Sequence, residues 1–360
     1  MYPRLEINID KLKTNVRVLH DLCQTYNIDM AMVTKSYCAI PEVVEEITQQ
    51  YVDYIADSRI ENLKNISHIK LPKILLRVPM LSEVEEVIKY ADISFNSELK
   101  IINALNEEAK KLDTVHKVVI MVDLGDLREG YFKEEDLFNA VEEVLTLSNI
   151  ELYGIATNLT CYGAIIPSYD NLGRLSSLAK EIENKYKVRL QFVSGGNSSS
   201  IDLMMSGNMP DGITNLRLGE AIVLGRETAY GKNLEGTYQD AFKLVCEIVE
   251  LKEKPSLPIG EVGVDAFGNK PVYEDKGIIK RAIVGIGKQD LDITSIQAVD
   301  SQVEILGASS DHMILNMSEC DREYHVGDKV EFLVEYGGLV TACTSKYVSK
   351  EVVYNSELAY

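Results

Sequence analysis

Over residues 1–225, short apolar runs alternate with longer amphipathic stretches. The runs are nearly continuous, which is typical of parallel strands buried on both faces of a sheet, and the stretches between them carry apolar positions at helical spacing. Eight strands are predicted, at 30–37, 54–58, 73–78, 93–97, 117–125, 151–159, 189–196 and 215–225. Eight strand–helix alternations favour an α/β fold of the (β/α)8 TIM-barrel type over an open doubly wound sheet.

The pattern changes after residue 229. Pro255, Pro258 and Pro271 lie close together, glycines become frequent, and β-branched runs recur at 243–251, 281–287, 302–306, 313–317 and 330–336. This spacing predicts a mainly antiparallel β domain. We therefore expect two domains, a barrel over 1–229 and a C-terminal β domain over 230–360.

Composition narrows the range of functions. The formal net charge of −19 argues against a nucleic-acid-binding surface and against docking on anionic lipid. No apolar run approaches the ~20 residues that span a bilayer, and the N-terminal residues do not resemble a signal peptide. The six cysteines include no CxxC pair and the five histidines form no metal-binding pattern, so neither disulfides nor a metal site is expected. We expect a cytoplasmic protein that acts on a small molecule.

Two local features suggest chemistry at the carboxyl ends of the barrel strands, where barrel enzymes carry their catalytic residues. Lys35 ends the first predicted strand, and a partly desolvated lysine can form a Schiff base with a carbonyl compound. The turn at 195–200, GGNSSS, offers hydroxyls and backbone N–H groups to a phosphate. Each feature alone also fits an ordinary strand exit or loop. Together they suggest pyridoxal phosphate, which needs a Schiff-base lysine, a phosphate anchor and a partner for its ring nitrogen.

Longer segments over nearly the whole chain form a specific combination. They are MVTKSYC (32–38), ADSRIENL (56–63), LRVPMLSEVEEV (76–87), MVDLGDLREG (121–130), TNLTCYG (157–163), SGGNSSS (194–200), NLRLGEAIVLGRETAYG (215–231), PIGEVGVDAFGNKPV (258–272), GIGKQD (285–290) and GASSDH (307–312). On these segments the sequence resembles the alanine racemase-type (fold type III) pyridoxal-phosphate enzymes, most closely the ornithine racemase branch of amino-acid racemases.

The resemblance implies roles for individual residues. Lys35 would hold the cofactor, and Arg217 would donate to its pyridine nitrogen, which fits a guanidinium that does not give up its proton. Arg128 would support the cofactor's phenolic oxygen and bind the substrate carboxylate. Ser310 falls where a second subunit supplies a backbone contact to that carboxylate. The implied phosphate contacts are the Ser198 side chain, the backbone of Gly219 and Glu220, and Tyr336 from the β domain.

The sequence departs from the family pattern at two places. Asn158 stands where alanine racemases usually carry a histidine packed on the pyridine ring, so ring packing is expected to differ. The tyrosine that a partner subunit supplies as the opposite-face base is missing, because the corresponding segment reads Leu257-Pro258-Ile259-Gly260. Asp265 is our preferred replacement. The other candidates are Glu261, Tyr230 and Cys343.

These residues predict an isomerase that racemises ornithine or another basic amino acid by proton transfer on two faces of Cα. The resemblance also implies a homodimer, since the family builds its site from both subunits. Two alternatives remain at this stage. One is a non-catalytic pyridoxal-phosphate-binding homeostasis protein on the same barrel, and the other is a Schiff-base aldolase that uses no cofactor.

Overall fold

The computed structural model describes residues 1–355 except 50, 266 and 271. The chain forms two compact units, one of residues 11–239 and one of residues 1–10 together with the chain from residue 240 onward. No helix among the described residues is both long and apolar enough to cross a membrane. The chain starts with strand β1 (Arg4–Asn8), followed by helix α1 (Ile9–Thr25).

The larger unit is a closed barrel of eight parallel strands in sequence order, as predicted. Its strands are β2 (Asp29–Val33), β3 (Tyr54–Asp57), β4 (Lys73–Leu75), β5 (Ile93–Asn96), β6 (His116–Met121), β7 (Ile150–Ala156), β8 (Phe192–Ser194) and β9 (Asn215–Leu218). The helices between and after them are α2 (Pro41–Ile47), α3 (Ile60–Asn65), α4 (Val84–Tyr90), α5 (Leu99–Lys111), α6 (Glu134–Val144), α7 (Tyr169–Tyr186), α8 (Ile201–Met205) and α9 (Glu220–Leu224). Short 3-10 turns lie at Lys35–Tyr37, Leu81–Glu83 and Ser198–Ser200.

Alternating side chains of these strands fill the barrel. Phe95 and Phe192 meet edge to face in its interior, with ring centroids 6.0 Å apart. Small side chains of three other strands, Ala31 on β2, Ala56 on β3 and Ala156 on β7, belong to the same buried cluster and leave room for the two rings. The barrel is therefore a packed core, and the space for chemistry lies at the strand ends.

The smaller unit is an eight-stranded sheet in the order β12-β15-β10-β11-β14-β13, with β1 pairing with β10 and β16. Its further strands are β10 (Phe242–Pro255), β11 (Ile278–Val284), β12 (Ile296–Ala298), β13 (Glu304–Ala308), β14 (Met313–Asn316), β15 (Lys329–Val334) and β16 (Ser349–Val353). A 3-10 turn lies at Ile293–Ser295, and helix α10 spans Tyr336–Thr344. The pairs are antiparallel, as predicted, except that β1 runs parallel to β16.

Three details differ from the sequence-based expectations. Strand β1, which we expected in a barrel domain of residues 1–229, pairs with β10 and β16. The first barrel strand ends at Val33, so Lys35 lies in a 3-10 turn rather than in the strand. The run expected to continue as a strand to Tyr336 ends at Val334, and Tyr336 begins a helix.

Candidate active site

Lys35 lies directly after β2, beside the buried carboxylate of Asp57 at the end of β3. Thr34 donates to Asp57 Oδ2 over 2.6 Å, while Arg59 N and Asn62 Nδ2 donate to its Oδ1 over 2.8 and 3.1 Å. Burial raises the pKa of Asp57, although these hydrogen bonds and the charge of Lys35 act in the opposite direction. The carboxylate holds the turn that carries Lys35.

The pKa of Lys35 is lowered, chiefly by desolvation. The side chain has solvent-accessible surface at the end of the barrel, but protein atoms surround its ammonium. The charges of Arg128 and Arg217 also lower this pKa, whereas those of Cys161 and Asp57 raise it. A lower pKa increases the fraction of neutral amine, which suits both attack on a carbonyl and acceptance of a proton.

Arg217, on β9, is the most confined cation of the site. Its Nη1 donates to Ser194 Oγ over 2.7 Å, and its Nη2 donates to the Thr157 carbonyl over 2.8 Å and to Asn158 Oδ1 over 3.4 Å. Its guanidinium carbon also lies 5.1 Å from the ring centroid of Phe95. Burial lowers the pKa of Arg217 to about 10, so the side chain stays protonated at neutral pH.

The predicted phosphate cradle is assembled from two neighbouring strand ends. Ser198 begins the 3-10 turn after β8, and its buried Oγ accepts a hydrogen bond from Ala221 N over 3.1 Å. Gly219 precedes α9 and Glu220 begins it. Gly219 and Glu220 directly precede Ala221 and therefore lie close to the Ser198 hydroxyl. Their backbone N–H groups are available as donors, because the first N–H groups of a helix have no acceptor within that helix.

Arg128 lies in the loop that follows β6. Asp123 Oδ1 accepts from Gly125 N and Leu127 N over 2.9 and 3.1 Å. Gly130 has a φ of +125°, and a Cβ there would lie 2.7 Å from Asp123 N, so the close turn requires glycine. Arg128 forms an ion pair with Glu129, in which Nε and Nη2 each contact one carboxylate oxygen.

The loop after β7 is attached to the preceding loop through Asp126, which is buried. Its carboxylate accepts from Cys161 N, Tyr162 N and Ile165 N over 3.4, 3.0 and 3.3 Å. This arrangement places the Cys161 thiol near Lys35 and within 3.8 Å of Asn197 Nδ2. The two loops therefore form one connected wall at the carboxyl end of the barrel.

These residues fit an anionic cofactor. Three cations, Lys35, Arg128 and Arg217, interact electrostatically with one another. Several buried polar atoms without a hydrogen-bond partner among the described residues lie at the same strand ends: Ser36 Oγ, Thr157 Oγ1, Asn158 Nδ2 and Ser199 Oγ. Buried polar groups normally have partners, so these donors and acceptors are available to a ligand.

The described part of the chain contains no His, Cys, Asp or Glu cluster suited to a metal ion.

Asp265 and Ser310 belong to the sheet unit, where adjacent residues of one turn contact them. Lys288 Nζ lies 3.8 Å from Asp265 Oδ2, and Gln289 N donates to the Ser310 carbonyl over 2.9 Å. A Cβ on Gly287 would lie 2.5 Å from the Ser310 carbonyl carbon, so this close approach requires glycine. The pKa of Asp265 is lowered, chiefly by a hydrogen bond from the backbone N–H of Asn269. A second hydrogen bond, from the backbone N–H of Phe267, acts in the same direction.

The remaining candidates lie apart from that turn in the chain. Tyr336 begins α10 and Cys343 is buried in the same helix. Glu261 is exposed, and Tyr230 belongs to the barrel unit, where its backbone N–H is bound by Glu227. The structure thus brings seven predicted residues together in the barrel unit, namely Lys35, Arg128, Asn158, Ser198, Arg217, Gly219 and Glu220. The sheet unit carries Asp265, Ser310 and Tyr336.

Sequence reasoning missed the residues that hold these side chains. Ser194 and Asp57 lie inside quoted motifs at strand ends, where a polar residue after a buried strand was the available signal. Asp126 and Cys161 also lie inside such motifs, but no local pattern indicates their contacts, which join segments 35 or more residues apart in the sequence.

Comparisons with known proteins agree with this architecture. The family described as alanine racemase, N-terminal domain, matches residues 7–227. The chain is 56% identical to ornithine racemase of Acetoanaerobium sticklandii, covering 98% of this chain and all of that protein. It is 36% identical to lysine racemase of Thermotoga maritima, covering 97% and 98% of the two chains.

Solved structures show the same fold. Alanine racemase of Clostridium difficile superposes with a TM-score of 0.75 at 21% identity, covering 98% of this chain and 96% of that one. Alanine racemase of Bartonella henselae, which carries covalently bound pyridoxal phosphate, superposes with a TM-score of 0.74 at 16% identity, covering 97% and 99%. The family match and the full-length identities show that this chain belongs to the alanine racemase family and is a pyridoxal-phosphate-dependent amino-acid racemase.

Proposed function

We propose that the protein interconverts L- and D-ornithine. The observation that carries this proposal is the buried Arg217, held by Ser194 and the Thr157 carbonyl, with Lys35 at the same end of the barrel. The substrate is taken from the relatives named ornithine racemase and lysine racemase, both of which align over almost the whole chain. Both names describe amino acids with a cationic side chain.

Pyridoxal phosphate, when bound, supplies an electron sink that makes the Cα–H of an attached amino acid acidic. Lys35 holds the cofactor, and its neutral amine then removes or returns the Cα proton on one face. Arg217 would donate to the pyridine nitrogen of the cofactor and, because the guanidinium stays protonated, would leave that nitrogen without a proton of its own. This role would favour return of the proton to Cα over other outcomes. Arg128 binds the α-carboxylate and so orients Cα.

The phosphate group has its contacts at the ends of β8 and β9. Ser198 offers its hydroxyl, and Gly219 and Glu220 offer backbone N–H groups at the start of α9. Tyr336 is the further phosphate contact that the resemblance to the family implies. Asn158, whose buried Nδ2 has no hydrogen-bond partner among the described residues, would pack at the pyridine ring.

For the opposite face of Cα we propose Asp265 of a second copy of the chain. Backbone N–H groups of Asn269 and Phe267 hold this carboxylate in place, and a carboxylate is able to accept and return a proton. Ser310, tied to the same turn, contacts the substrate carboxylate through its backbone. Glu261, Tyr230 and Cys343 are the alternatives to Asp265.

Exposed apolar side chains support a homodimer. In the barrel unit they lie in the loops after β6 and β7, at Leu127, Phe132 and Tyr162, and at Tyr169 at the start of α7. In the sheet unit they lie near Asp265, at Ile259, Val264 and Val272. Such exposed apolar surface is typical of protein interfaces, and a second copy would cover both sets. The six free cysteines support a cytoplasmic location.

The proposed activity is tested by incubating the holoenzyme with each L-amino acid and ornithine, followed by chiral chromatography. We expect the highest kcat/KM with ornithine, and equal amounts of both enantiomers at equilibrium. Lys35→Ala is expected to abolish both racemisation and the visible absorbance of the bound cofactor. Retention of either by Lys35→Ala, or failure of the wild type to act on any basic amino acid, would contradict the proposal.

The shared site is tested by co-expression of two inactive variants. Lys35→Ala and Asp265→Asn each remove one face of the mechanism. If Asp265 acts across a dimer interface, half of a randomly paired population is mixed, and each mixed dimer has one intact site. We therefore expect about a quarter of the wild-type activity to return. No recovery, with mixed dimers present by mass spectrometry, would show that Asp265 does not act across a dimer interface.

A further inference from the structure

We propose that Glu129 selects amino acids with a cationic side chain by exchanging partners with Arg128. In this exchange Arg128 leaves Glu129 for the substrate α-carboxylate, and Glu129 receives the side-chain ammonium of the substrate. The inference rests on the proposed function, and it adds the residue that makes the site prefer a diamino acid.

The loop that carries the pair is held at both ends. Tyr131 N donates to the Met121 carbonyl over 2.8 Å, and Asp123 N donates to the Tyr131 carbonyl over 3.1 Å. Inside the loop, Asp123 binds two backbone N–H groups. Arg128 and Glu129 therefore lie at the tip of an anchored loop, and their side chains can change partners without movement of the backbone.

The charges of the pair reach the centre of the site. The Arg128 charge lowers the pKa of Lys35, and the Glu129 charge raises that of Arg217. The Glu129 side chain is 20% exposed and that of Arg128 is 40% exposed, so the carboxylate is the more buried of the two. A residue pair at the tip of this loop thus acts electrostatically on both Lys35 and Arg217.

Other carboxylates at this end of the barrel are engaged within the protein fold. Asp57 accepts from Thr34, Arg59 and Asn62. Asp123 and Asp126 accept from backbone N–H groups of their loops. Glu129, in contrast, binds through both oxygens to a side chain that the reaction itself requires. Substrate binding to Arg128 therefore changes the environment of Glu129 directly.

The exchange explains a preference for a second ammonium. A substrate with a neutral side chain would take Arg128 away and leave a largely buried carboxylate without a counter-charge, which is unfavourable. Ornithine brings a carboxylate and a distal ammonium, and so replaces both charges of the ion pair. Discrimination by a charge-assisted hydrogen bond of this kind corresponds to about 10- to 100-fold in kcat/KM.

The test compares ornithine with norvaline, which has the same carbon chain and no terminal ammonium. Holoenzymes of wild type, Glu129→Gln and Glu135→Gln are assayed with both substrates. Glu135 is an exposed glutamate of α6, and its substitution makes the same change in net charge. We expect Glu129→Gln to lower kcat/KM for ornithine by about 10- to 100-fold, mostly through KM. Norvaline should lose no activity and should gain up to about 10-fold, because the glutamine of Glu129→Gln leaves no buried charge unpaired when Arg128 moves, and Glu135→Gln should leave both substrates unchanged.

The outcomes separate this inference from the proposed function. A wild type that does not racemise ornithine overturns both. A wild type that does, with an unchanged ornithine preference in Glu129→Gln, overturns the inference alone. Equal losses for both substrates also overturn it, because Glu129 would then only position Arg128. If Glu129→Gln does not fold, Glu129→Asp takes its place. The shorter side chain should lower the ornithine preference several-fold, and an unchanged preference overturns the inference.

Discussion

Arg217 Nη1 donates to Ser194 Oγ over 2.7 Å, and Ser194 Oγ donates in turn to Asn215 Oδ1 over 2.8 Å. Because the hydroxyl hydrogen is committed to Asn215, Ser194 can act only as an acceptor toward Arg217. The Asn215 side chain is oriented by its own donation to the Asp29 carbonyl over 3.1 Å. The Arg217 guanidinium is therefore held by a directed chain of buried hydrogen bonds.

Ser194→Ala removes the acceptor of this chain. A buried cationic donor without a partner costs about 1–3 kcal/mol, so we expect the midpoint of urea unfolding to fall and the cofactor to bind more weakly. Racemisation is expected to slow by about 10-fold. Ser177→Ala, on the exposed face of α7, is the matched control and should stay within about 0.5 kcal/mol of wild type. Wild-type cofactor affinity and kcat in Ser194→Ala would show that Arg217 does not need this support.

Asp57→Asn is expected to shift the titration of Lys35. The negative charge of Asp57 raises the pKa of Lys35 against the larger effect of desolvation, so its removal should lower that pKa further. Since the neutral amine is the form that attacks a carbonyl, pyridoxal phosphate should attach to the cofactor-free variant at lower pH than to wild type. The rise in absorbance as a function of pH measures this midpoint. Asp113→Asn is an exposed control, and a midpoint displaced to higher pH in Asp57→Asn would contradict the assignment.

The sequence predicted those parts of the molecule that depend on local patterns. Lys35 and Ser198 follow buried runs, and each lies at a strand end that the structure retains. Asn215, which pairs through Ser194 with Arg217, had no such signal, because its role depends on a contact 21 residues away in the sequence. The Arg128–Glu129 ion pair is local in sequence, yet only the folded loop shows where it lies.

Two differences between the sequence-based expectations and the structure have physical causes of the same kind. Strand β1, which the expected domain boundary assigns to the barrel, is five residues long and leads directly into helix α1. Its partner strand β16 lies some 345 residues later in the sequence, since Arg4 pairs with Ser349. Tyr336 follows a β-branched run, but the next two residues are glycines, which allow α10 to begin close to Ser295. A Cβ on Gly337 would lie 2.7 Å from Ser295 Oγ, and a Cβ on Gly338 would clash with the Ser295 carbonyl oxygen.

Asp126→Asn is expected to loosen the wall formed by the loops after β6 and β7. The carboxylate accepts three backbone N–H groups of the second loop, and the amide has one acceptor oxygen fewer and repels a donor. We expect faster proteolysis within residues 160–167 and a loss of about 1–3 kcal/mol of stability. Asp211→Asn, at an exposed position, is the matched control. Unchanged proteolysis of Asp126→Asn would show that the loop is held by other contacts.

His116 makes the barrel sensitive to acid. Burial lowers its pKa to about 4, and its Nε2 lies 2.8 Å from Ser94 Oγ, which also accepts from Asn96 over 2.9 Å. Ser94 is thereby able to donate to a neutral imidazole, and protonation of Nε2 would disrupt this arrangement. In the unfolded chain the histidine has its ordinary pKa near 6.5. The unfolded state therefore binds the proton first, and stability is expected to decrease as the pH falls from 6.5 to about 4.

His116→Gln keeps a hydrogen-bonding side chain and removes this titration. A difference of about 2.5 pKa units corresponds to roughly 3 kcal/mol, so the loss of stability between pH 7 and pH 4 should be smaller by about this amount in the variant. Urea unfolding at half-unit pH steps measures it, with His325→Gln at an exposed site as the control. If wild type and His116→Gln lose stability in parallel over this pH range, the buried imidazole is not the group that responds to acid, and the carboxylates of the barrel must account for the whole effect.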